Sequence, residues 1–102
     1  MFIKGKEYTL DWTIGASVYI NDLYPSGAPK GALAGRYIMD LAIAMSRASE
    51  DIKKLEDSSY EKHPLTKELL YSLPPAYAKE IENAVNEAYK IGNEKTVEVE
   101  KN

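Results

Sequence analysis

The chain has 102 residues, 44% hydrophobic and 28% charged, which is the balance of a soluble globular protein and long enough to bury a core without covalent staples. It contains no cysteine, which removes disulfides, thiolate nucleophiles and thiolate metal sites. The formal net charge of −3 is uneven, about +1 over residues 1–49 and −4 over residues 50–102, which argues against the phosphate backbone of nucleic acid as the main partner.

The first element is a small hairpin: an extended run Phe2-Ile3-Lys4, a turn at Gly5-Lys6, and an alternating run from Glu7 to Trp12. Two strands alone are marginal in water, so the hairpin must lean on the rest of the chain. Asp11 and Thr13 both have N-cap chemistry for a helix near residues 13–23, in which Ile14 and Val18, with Tyr19 and Leu23, make the apolar stripe. Prolines and glycines from Tyr24 to Gly31 then break the chain into a loop.

The longest element is predicted over Ala32 to Leu55, where Ile38, Leu41, Met45, Ala48, Ile52 and Leu55 repeat at spacings of three and four. Tyr37, Leu33, Ala34, Ala42 and Ala44 widen the apolar face, which favours a central core helix over an intermolecular coiled coil. Residues 57–64 read as a polar connection with a mobile tip, and the acidic pair Glu50-Asp51 before it as a solvated helix face. Thr66 is placed to cap a short helix that Ser72-Leu73-Pro74-Pro75 ends. A final helix, Pro75 to Ile91, carries Tyr77, Ile81, Ala84 or Val85, Ala88 and Ile91 on one face, with Gly92-Asn93 as its stop.

The expected fold is therefore α+β and predominantly α-helical, an N-terminal hairpin packed on about four helices. Residues 1–93 form one compact domain, and residues 94–102 a charged tail or an edge strand over 96–100. No run approaches a membrane span and no leader peptide is evident.

Chemistry-bearing patterns are sparse. His63 is the only histidine and precedes a proline in a polar loop, where a surface role is expected. The serines lack a nucleophile elbow, and the glycines at 27, 31 and 35 lack a phosphate-binding ending. No catalytic residue, metal ligand or cofactor site is expected, although Arg36 and Arg47, the only arginines, lie on nearly one helix face where a carboxylate could be clamped. Eight tyrosines stand against one Phe and one Trp, and tyrosine suits partly buried rims and interfaces. The protein-binding candidates are Tyr19, Tyr24, Tyr37, Ile38, Leu41 and Met45, beside the 24–31 loop and on the seam of the long helix.

Three segments carry a family resemblance. Ile3-Lys4-Gly5-Lys6-Glu7-Tyr8-Thr9-Leu10, running into Gly15-Ala16, resembles the opening of the tail assembly chaperones of long non-contractile-tailed phages and prophages of Gram-positive bacteria. Leu65-Thr66-Lys67-Glu68 through Leu73-Pro74 is similar to their short helix, and Ile81 to Gly92 followed by Thr96 to Glu100 to their closing helix and acidic tail. The resemblance implies a non-enzymatic helper in tail morphogenesis that binds the tape measure protein and tail-tube subunits, in the host cytoplasm and absent from the mature virion. Self-association into a homo-oligomer is expected from a protein with exposed apolar surface. The alternative is a small nucleic-acid-binding regulator with a helix-turn-helix around residues 32–55.

Overall fold

The computed structural model describes residues 1–31 and 34–94. It is an α+β fold, predominantly helical: a two-stranded antiparallel hairpin, β1 (Phe2–Ile3) and β2 (Lys6–Glu7), followed by α1 (Ile14–Leu23), α2 (Ala34–Glu56), α3 (Lys67–Tyr71) and α4 (Tyr77–Gly92). The strand expected over 96–100 lies outside the described residues, as do Ala32 and Leu33, the expected start of the long helix.

The hairpin is shorter than its alternation suggested. Phe2 pairs with Glu7 and Ile3 with Lys6, so the turn is Lys4-Gly5 rather than Gly5-Lys6. Both turn residues have positive φ, 52° and 82°, the handedness that matches the twist of the strands they join. Only Ile3 of the two strands is buried. From Thr9 onward the chain leaves the ladder and runs along the middle of α2, where the Asp11 N–H donates to the Met45 carbonyl at 3.1 Å and the Thr9 and Ser49 hydroxyls share a hydrogen bond.

α2 is the axis of the molecule. Leu41 to Ser46 are buried without a break, which an amphipathic surface helix cannot achieve and a helix wrapped on several sides must. α1, α3 and α4 all pack on it, and the core closes with Ile3, Ile20, Leu65, Leu70, Ile81, Val85 and Ala88. It is one uninterrupted helix from Ala34 to Glu56, as the three-and-four spacing predicts, and it contains no turn for the alternative of a helix-turn-helix in this stretch. Its seam is buried from Leu41 to Ala48, but Ile52 and Leu55 emerge, Leu55 at 87% exposure.

Two threonines start helices as their chemistry predicts. Thr13 Oγ1 accepts from the Ala16 N–H at 3.1 Å and Thr66 Oγ1 from the Leu69 N–H at 3.1 Å. α4 opens on a turn in which the Pro74 and Pro75 carbonyls accept from Tyr77 and Ala78. Ile81, Val85 and Ala88 are its buried stripe, while Ile91 is exposed. Gly92 is more than a stop. A Cβ built there would lie 2.5 Å from the Trp12 carbonyl oxygen, so the residue is small because the N-terminal segment crosses it.

The 57–64 connection is tied down rather than loose. Glu50, expected on a solvated face, is 6% exposed and accepts from the Tyr60 hydroxyl (2.7 Å), the His63 N–H (2.6 Å) and Lys53 Nζ (3.1 Å). Burial alone would raise its carboxyl pKa; these three donors together outweigh that and hold it below the usual value. Asp51 is the exposed partner of Lys62, at 3.1 Å. At the end of the strap, the buried Ser46 hydroxyl accepts the Leu65 N–H at 2.8 Å. Asp57 takes both the N–H and hydroxyl of Ser59, which lowers its pKa and shapes the turn.

Candidate functional site

α1 lies on α2 through alanines. Ala16, Ala44 and Ala48 form a small buried cluster of their own, and side chains this short leave room beside the contact. Two grooves open there. One, of about 290 Å³, runs from Thr13 and Ala16 to Ile52 and Leu55; the other, of about 370 Å³, runs from Tyr19 and Leu23 past Arg36, Asp40, Ile43 and Arg47 to the Pro64–Lys67 segment. They meet at Tyr19 and Arg47, and the Arg47 guanidinium sits 4.6 Å from the centre of the Tyr19 ring.

The outer face of α1 is also apolar. Ile14 and Val18, one turn apart there, are 85% and 54% exposed, while Ala16 and Ile20 fill the inner face and Leu23, on the inner side at the last turn, is 48% exposed in the groove. This overturns the stripe read from the sequence, in which Ile14 and Val18 pointed inward. α1 carries apolar residues around most of its circumference, so its periodicity does not say which side is buried.

Tyr24 and Tyr37 finish the site at the loop end. Their rings meet edge to face at 5.0 Å, and the Tyr24 hydroxyl donates to Asp40 Oδ2 at 2.5 Å. Burial, then the hydrogen bond to Asp40 and its negative charge, push the Tyr24 pKa up to about 12, with Arg36 opposing. Tyr24 therefore stays a donor, and one oxygen of Asp40 is committed to it.

Of the six predicted binding residues, Tyr19, Tyr24 and Tyr37 are half-buried around this surface, while Ile38, also half-buried, faces Ala78 and Glu82 of α4 across a separate small groove. Leu41 and Met45 are corrected: at 6% and 0% exposure they belong to the core of α2 and present no face to a partner. The reading from sequence missed Ile14, Val18 and Lys67. Only the all-round apolarity of α1 could have signalled the first two.

A third groove, of about 510 Å³, lies between the N-terminal segment, α2 and α4, with Tyr8, Leu10, Ile52, Ala88 and Ile91 in its walls. Elsewhere His63 is exposed and 3.3 Å from Glu61. Among the described residues no group of three or more metal-ligating side chains comes together, and no buried side-chain polar atom lacks a partner. No helix among them is long and apolar enough to cross a membrane. The α1–α2 surface combines apolar grooves with fixed positive charge, which equips it to hold an elongated amphipathic polypeptide. Compared with family models, curated proteins and solved structures, the chain matches none.

Proposed function

We propose that this chain is a non-enzymatic tail assembly chaperone of a phage or prophage, which masks a long helical client, the tape measure protein, and yields it to tail-tube subunits in the host cytoplasm. The observation that carries the reading is the outward apolar pair Ile14 and Val18 on a helix flanked by grooves, with the half-exposed Leu23 in the wall of one of them. Large apolar side chains left exposed beside apolar grooves on a small protein are a liability unless something covers them. A client helix covers them with i, i+4 residues of its own, and self-association covers them when no client is present. The resemblance of the 3–16, 65–74 and 81–100 segments supplies the choice of client.

Co-expression with a tape measure protein from the same genome tests the proposal. The soluble fraction of the client rises with this chain and not with a variant carrying Ile14→Gln and Val18→Gln. No rise with several cognate clients would reject the reading.

A further inference from the structure

We infer that the groove between α1, α2 and the Pro64–Lys67 segment selects a client segment that is helical and acidic, through Arg36, Arg47 and Lys67. The inference rests on the chaperone reading and gives the chemistry of the segment bound.

Three cations and one carboxylate, Asp40, line this groove, in a chain whose formal net charge is −3. The positive charge is concentrated here against the balance of the whole molecule, and Asp40 already accepts from Tyr24. The two arginines are both exposed and stand eleven residues apart on one uninterrupted helix, about 16 Å along its axis at the α-helical rise. Arg47 is held against the Tyr19 ring, so little side-chain freedom remains to be lost on pairing with a carboxylate. The apolar surface this groove exposes comes from Leu23 and the Tyr19 ring, with Ile43 and Leu65 buried beneath them. A helix lying along α2 with carboxylates about eleven residues apart and leucines between them meets both arginines and the apolar floor at once. Duplex nucleic acid meets the cations but leaves that floor uncovered.

The probe is a fluorescently labelled twenty-residue synthetic helix with leucines on one face and glutamates at positions four and fifteen. A second peptide has lysines at those two positions, and a DNA duplex of similar length is the third ligand. Anisotropy with the full chain is expected to show the glutamate peptide binding about tenfold or more tightly than the lysine peptide, with the difference shrinking as salt rises. Arg36→Ala with Arg47→Ala erases the preference. Equal binding of the two peptides, tighter binding of the duplex, or an unchanged preference in the double variant overturns the inference. The peptide comparison needs no variant, so it stands if the double variant fails to fold. The two readings fail separately. A double variant that keeps the tape measure protein soluble as well as the parent does removes the charge rule and leaves the chaperone role; glutamate-selective binding by a chain that never solubilises a client does the reverse.

Discussion

Glu50 accepts the backbone N–H of His63 at 2.6 Å, joining the last third of α2 to a strap thirteen residues further along the chain. The same carboxylate holds Tyr60 and Lys53, so one buried charge organises the connection between α2 and α3.

Glu50→Gln is expected to cost about 2 kcal/mol, because charged hydrogen bonds are replaced by weaker ones in a buried place. The carboxyl pKa is lower in the folded chain than its ordinary value of 4.5. Its stabilisation is therefore complete above that value and lost as pH falls through the folded pKa. Urea midpoints measured from pH 7 down to pH 3 should fall steeply for the parent chain and more gently for the variant. Equal slopes would show that Glu50 is not the linked group.

Gly92→Ala tests the crossing of the N-terminal segment over α4. Alanine is the better helix former by about 1 kcal/mol, yet its methyl would meet the Trp12 carbonyl at 2.5 Å. A net loss of about 1–3 kcal/mol is expected from the overpacking. Gly35→Ala, whose methyl meets nothing within 4 Å, should lose nothing. Thermal melts of both variants measure the contrast, and an equal gain in both would contradict the crossing.

Tyr24 should be among the last tyrosines to ionise. With its pKa at about 12, above the ordinary 10, it stabilises the fold fully below pH 10 and loses that contribution as pH rises towards 12. Spectrophotometric titration of the tyrosinate band should show a late component that Tyr24→Phe removes. The variant should lose about 1 kcal/mol with the Asp40 hydrogen bond.

Ser46→Ala strands the buried Leu65 N–H. A loss of about 1–3 kcal/mol is expected, together with faster amide exchange at Leu65. Protection unchanged at that amide would mean another acceptor takes over.

Exposed Ile14 and Val18 allow the opposite outcome. Replacing both with glutamine should change stability by less than about 0.5 kcal/mol per site, while abolishing client solubilisation. A matching loss of stability would place them in the core instead.

The local grammar of the chain is readable from its residues. Thr13 and Thr66 cap helices because a β-oxygen at that position reaches a free N–H, and the period of α4 selects Ile81, Val85 and Ala88 because only one of its faces is apolar. The misread residues are those whose environment is set by distant partners. Glu50 looks solvated on a helical wheel, since its donors come from Tyr60 and His63. Ile14 and Val18 look internal because α1 has two apolar sides, and Ala16 with Ile20 wins the inner one by letting the helix sit close on Ala44 and Ala48. Of the candidate surface, the half-buried tyrosines were legible as rim residues, whereas Leu41 and Met45 were misplaced because they lie on a seam that the surrounding helices enclose.

Trp12 lies where the two ends of the described chain meet, its backbone against Gly92 and its ring 5.1 Å from that of Tyr89. It is also the only tryptophan among eight tyrosines. The molecule thus carries an optical gauge at its seam: indole emission and tyrosine-to-tryptophan energy transfer report directly whether the N-terminal arm is fastened, without any label.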